Sequence, residues 1–104
     1  MSDRRENRRF PLSEEVRYRL THHKSLAVQG AGKTLNASSG GILFTTEGAL
    51  PMGQRVELFV NWPARLGGAC PLQLVVIGRV VRTDEGHASV RIERYQFKTR
   101  RLLV

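Results

Sequence analysis

The chain has 104 residues, 40% hydrophobic and 25% charged, which fits one ordinary folded domain and excludes both a chain too polar to collapse and one built for lipid. Lysines and arginines number 17 against 9 acidic residues, a net charge of +8, so an anionic partner is expected: nucleic acid, a membrane surface or a phosphorylated small molecule. No apolar run approaches the roughly 20 residues of a membrane span, and the first residues are charged where a signal peptide would be apolar, so cytoplasmic localisation without membrane insertion is expected.

The first element is the arginine-dense stretch MSDRRENRRF, with Arg4, Arg5, Arg8 and Arg9 and few apolar groups, after which Pro11 interrupts any helix. It reads as a flexible arm over residues 1–12, ahead of a folded domain over 13–104. Lys24, Lys33 and Lys98 are the only lysines, and the arginine bias favours planar, two-point recognition of phosphate oxygens or of the acceptor edge of guanine. Val16-Arg17-Tyr18-Arg19-Leu20 then alternates apolar and polar residues, as a half-buried strand requires. Further strands are predicted over 26–28 and at Thr34 and Leu35, with Gly30-Ala31-Gly32 as the turn between them. Gly41 introduces a strand over 42–45, and Gly48 with residues 51–53 makes the next turn, before a strand over 56–60. Residues 61–71 read as a loop in which Trp62 serves packing. Within the loop Cys70, the only cysteine, reads as a buried small hydrophobe in a reducing compartment. A long strand follows over 72–83, Asp84-Glu85-Gly86 turns it, and 88–92 returns.

Short strands at this spacing, without a helical period, predict an all-β antiparallel barrel or sandwich. A helix has room only over 95–103, where two turns would have to dock in order to form.

Most chemistry-bearing residues have plain structural readings. Gly30-Ala31-Gly32-Lys33-Thr34 lacks both the earlier glycine and the following helix of a nucleotide-triphosphate phosphate loop, and reads as a hairpin turn. Adjacent His22 and His23 on a strand would face opposite ways, and with His87 they read as surface residues and not as metal ligands. Ser38 and Ser39 have no marked base with an orienting carboxylate. No enzyme activity, metal or cofactor is therefore expected.

Two segments remain. Arg4-Arg5-Glu6-Asn7-Arg8-Arg9-Phe10-Pro11 separates Arg5 from Arg9 by three residues just before the first strand, and Asn36-Ala37-Ser38-Ser39-Gly40-Gly41 leads into Ile42-Leu43-Phe44. Together they resemble the PilZ family, whose members bind the bacterial second messenger cyclic di-GMP through an Arg-x-x-x-Arg arm and an Asp/Asn-x-Ser-x-x-Gly strand-turn. The resemblance runs from about Arg4 to Glu93 and takes in Leu50-Pro51-Met52-Gly53-Gln54-Arg55-Val56, Gly78-Arg79-Val80-Val81-Arg82 and Ala88-Ser89-Val90-Arg91-Ile92. Two departures stand out: Ala88-Ser89 where many relatives have a glycine, and a brief tail after Arg94 where relatives often carry a helix.

The resemblance implies a small six-stranded antiparallel β-barrel acting as a cyclic di-GMP receptor. It assigns Arg5 and Arg9 as principal ligand arginines, Arg4 as an auxiliary contact, and Asn36, Ser38 and Gly41 as the second half of the site. Arg82 is an additional candidate, on a strand where some relatives stack a residue on a purine. The chemistry suits the ligand: a guanidinium meets guanine O6 and N7 with two bonds and stacks on a base, Asn36 both donates and accepts, and the Ser38 hydroxyl can bond a base amine or a phosphate oxygen. Gly41 either allows close approach or supplies a positive φ, Gly40 serves the turn, and Arg8 faces water. The arm is expected to fold over the ligand and so change the surface offered to a downstream protein, with the receptor a monomer or weak homodimer. The alternative is a small basic barrel that binds RNA or single-stranded DNA; the argument against nucleic acid is that only 7% of residues are aromatic and no pair of exposed rings for stacking is evident.

Overall fold

A computed structural model of the protein describes residues 10–11, 13–20, 29–66 and 70–99. These form seven strands and no helix: β1 (Phe10–Pro11), β2 (Glu15–Leu20), β3 (Gln29–Ala37), β4 (Gly41–Thr45), β5 (Arg55–Leu66), β6 (Cys70–Asp84) and β7 (His87–Thr99). All pairings are antiparallel, in the order β3-β2-β5-β6-β7-β4, and β4 returns to β3. The six long strands therefore close into a barrel, and the two-residue β1 adds to the edge of β3 beyond the end of β2.

Closure follows from alternation. Along β2, Val16, Tyr18 and Leu20 are buried while Glu15, Arg17 and Arg19 are exposed, and period-two strands can satisfy this pattern by wrapping one face around a shared interior. Ile42 and Phe44 from β4, Val56, Leu58 and Val60 from β5, Leu74, Val76 and Val80 from β6, and Ala88 and Val90 from β7 fill that interior, with Leu50 from the β4–β5 connection. Tyr18 lies 5.8 Å from Phe44, centroid to centroid, and its buried hydroxyl accepts the backbone N–H of Glu47 at 3.0 Å. Thr34 is the one fully buried polar residue described. It stands where β3 shifts register, and its Oγ1 accepts the Glu14 N–H at 2.9 Å, so no buried polar group is stranded there.

Three local expectations change. Gly30-Ala31-Gly32 is not a turn but part of β3, paired with β2 through Tyr18↔Gly30 and Val16↔Gly32. The cause is steric: a side chain at Gly30 would occupy the space of the Tyr18 ring, and one at Gly32 would run into the Thr45 carbonyl, so these glycines permit close approach inside a strand. Gly32→Ala is accordingly expected to destabilise the fold by about 1–3 kcal/mol, read from the urea midpoint; an unchanged midpoint would remove the steric account.

The loop expected over 61–71 is largely strand, because β5 continues to Leu66 and β6 starts at Cys70; the Cys70 side chain lies outside the described residues. Residues 95–99, expected to be able to begin a helix, continue β7, with Leu72↔Thr99, Leu74↔Phe97 and Val76↔Tyr95 in register. Ladder bonds to β6 outweigh the marginal stability of an isolated two-turn helix. The remaining residues of that expected helix, and the strand expected over 26–28, lie outside the described residues.

Candidate functional site

The site begins with a short stretch of pairing. Phe10 is in register with Ala37 and Pro11 with Asn36, so the chain enters the fold alongside the first half of the Asn-x-Ser-x-x-Gly segment. Pro11 has no N–H to offer a further strand, which suits it to this outer position. Arg4, Arg5, Arg8 and Arg9 lie outside the described residues, as do His22 and His23; Arg9 is the residue bonded to Phe10.

Asn36 occupies β3, in register with Leu43 of β4 as well as with Pro11. Residues 38–40 connect β3 to β4, and Gly41 opens β4. Ser38 organises this turn. Its N–H donates to the Gly41 carbonyl at 2.9 Å, and its Oγ accepts the N–H groups of Gly40 and Gly41, both at 3.2 Å. A hydroxyl has two lone pairs and one proton. With both lone pairs engaged, the Ser38 hydroxyl is left as a donor, which suits it to a phosphate oxygen and not to a base amine.

Gly41 does not supply a positive φ; among the described residues Gly53 and Gly86 have that conformation. It is instead a point of close approach, since a Cβ there would stand 3.0 Å from the Val90 carbonyl oxygen. The turn is tied to β7 by the Ile92 N–H donating to the Gly40 carbonyl at 3.0 Å, and β4 pairs along β7 through Gly41↔Arg91 and Leu43↔Ser89.

Two concavities flank the turn and share Ser38 and Ile92. One, of about 540 Å³, is lined by Ser38, Gly40, Gly41, Ile42, Val81, Ser89, Val90, Arg91 and Ile92. The other, of about 350 Å³, is strongly apolar and is walled by Ala37, Trp62, Leu74, Tyr95 and Phe97 beside Ser38 and Ser39. Arg82 is exposed on β6, in register with Ser89, so it borders the first concavity without lining it.

Trp62 is on β5, half-buried, and packs against the core with its ring 5.3 Å from that of Phe97 at 68°. Tyr95 and Phe97 are 59% and 47% exposed, a pair of exposed rings that the sequence did not reveal. Their planes meet at 79°, so they pack edge to face rather than forming one stacking platform. Among the described residues no group of three His, Cys, Asp or Glu side chains is placed to hold a metal ion, and no helix is long and apolar enough to cross a membrane.

The sequence also passed over Arg91. The alternation in Ala88-Ser89-Val90-Arg91-Ile92 signals that Ser89 and Arg91 face away from the core, but only the non-sequential β4–β7 pairing brings them to the turn. A family model described as the PilZ domain matches residues 3–104 of the chain. No curated protein and no solved structure matches it.

Proposed function

The chain belongs to the PilZ domain family, a family of cyclic di-GMP receptors, and on that premise we propose that it binds cyclic di-GMP between its N-terminal arginines and the Ser38 turn. The observation that carries this reading is the register of Phe10 with Ala37 and of Pro11 with Asn36, which brings the chain from Arg9 to the motif it must meet. In this mechanism Arg5 and Arg9 grip the ligand with charge-assisted forks and Arg4 assists. The Ser38 hydroxyl donates to a phosphate oxygen, Asn36 bonds a base or backbone edge, and Gly41 keeps side-chain bulk off the floor. Arg82 stands at the border as an additional contact.

Ligand binding then folds the arginine arm, expected over residues 1–12 and already joined to β3 at Phe10 and Pro11, over the ligand, and the altered surface is what a downstream protein reads. The receptor acts in the cytoplasm, without a catalytic step or a metal, as a monomer or weak homodimer. Each hydrogen bond to a charged group contributes on the order of 1.5–3 kcal/mol, so Arg9→Ala is expected to weaken binding roughly 10- to 100-fold. Calorimetric titration of the wild type and the variant with cyclic di-GMP tests this: equal affinities would remove the arm from the mechanism, and no binding by the wild type would remove the ligand.

The exposed Tyr95–Phe97 pair favours one other reading, a barrel that binds single-stranded nucleic acid. Under that reading oligonucleotides of many sequences would bind with steep salt dependence, and cyclic di-GMP would not compete.

A further inference from the structure

Among the described residues, Arg91 is the only charged one lining the larger concavity beside the Ser38 turn. It is exposed, and its guanidinium makes no hydrogen bond or ion pair with any described residue. Its cross-strand neighbour on β6 is another arginine, Arg79, and like charges directly opposite destabilise a sheet. Arg79 is accommodated: its Nε donates to Glu93 at 3.2 Å and its Nη1 to the Gly53 carbonyl at 3.1 Å, and Arg55 reaches the same Glu93 at 3.7 Å. Arg91 has none of this. A third guanidinium is thus kept in the row Arg55–Arg79–Arg91, with no acidic partner among the described residues, at the rim of a cavity.

The surroundings narrow what it would meet. On the side toward the turn Arg91 is in register with Gly41, whose carbonyl accepts the Ser38 N–H, and Arg91 and Ser38 line the same concavity. On the other side stands Val81, the extra residue where β6 shifts register between Val80 and Arg82, 45% exposed. An apolar side chain beside an unpaired planar fork suits a purine ring, with Val81 against its face and Arg91 at its edge. Guanine offers O6 and N7 as adjacent acceptors to such a fork, whereas adenine places an amino donor beside N7 and repels it.

We propose that Arg91 reads the guanine edge of the bound dinucleotide and sets the preference for guanine over adenine. This rests on the cyclic di-GMP reading above. The test is the ratio of affinities for cyclic di-GMP and cyclic di-AMP, measured calorimetrically for the wild type, Arg91→Ala and Arg91→Lys. Loss of a two-bond base contact should weaken cyclic di-GMP binding roughly 10- to 100-fold and leave cyclic di-AMP binding nearly unchanged. Arg91→Lys should lose the preference as Arg91→Ala does, because it keeps the charge but not the fork.

Variants that keep the wild-type ratio would overturn the proposal, as would an equal loss for both ligands, which would make Arg91 a phosphate contact. A wild type that binds neither ligand would instead remove the receptor reading itself, and the inference with it.

Discussion

Replacing Arg5 and Arg9 together with alanine is expected to reduce cyclic di-GMP affinity by a factor on the order of 10² to 10⁴, the sum of two charge-assisted contacts. The range is wide because groups that grip one ligand couple and their losses need not add. The residues that fill the barrel come from β2, β4, β5, β6 and β7 and from Leu50, so the double variant should keep the wild-type thermal transition. That combination, lost binding with an intact fold, separates a ligand arm from a structural one. Calorimetry gives the affinity and circular dichroism the melting curve; retained affinity would sink the arm, and a collapsed transition would mean that the arginines hold the barrel together.

Phe44→Ala is the second large effect, and it acts on stability. Phe44 is fully buried, lies on the strand that closes the barrel by pairing with both β3 and β7, and packs against Tyr18. Truncating a buried phenylalanine costs about 3–5 kcal/mol, which in a domain of this size lowers the melting temperature by on the order of 15–30 °C. Met52, 61% exposed in the turn before β5, should change stability by less than about 0.5 kcal/mol when replaced by alanine. Denaturant unfolding with unchanged slope measures both. A loss at Phe44 of under about 1 kcal/mol would mean that the core does not depend on the closing strand.

What the sequence revealed and what it hid divide by the range of the interactions. The eBeBeB burial of β2 is local alternation, and 16–20 could be read directly as a strand. The turn at Asp84-Glu85-Gly86 was equally legible, since Gly86 has a φ of 84° that favours glycine. Gly30 and Gly32 were misread because the reason for them lies elsewhere in the chain, at the Tyr18 ring and the Thr45 carbonyl. Residues 95–99 allowed a helix in isolation and became strand because β6 offers a partner. The same division holds at the candidate site. Asn36, Ser38 and Gly41 are close in sequence and legible as a motif, whereas Arg91 joins them only through the register Gly41↔Arg91, which no local pattern encodes. The direction of the Ser38 hydroxyl was hidden for a different reason: it depends on which lone pairs the turn consumes.

The strands do not all end at the barrel rim. β2 pairs with β5 only as far as Val60, and β4 pairs with β7 only as far as Arg91, yet β5, β6 and β7 run on together to Leu66, Cys70 and Thr99. Among the described residues no strand pairs with β5 beyond Val60 on its β2 side or with β7 beyond Arg91 on its β4 side, and an unpaired strand edge is the usual seed of sheet-to-sheet aggregation. Along β7 the exposed Tyr95 and Phe97 are bracketed by Arg94 and Lys98, and cationic side chains on an open edge repel a second copy that carries the same charges. The net charge of +8 thereby also acts as a solubility device, and raising ionic strength, which screens it, should promote self-association from this end of the molecule first.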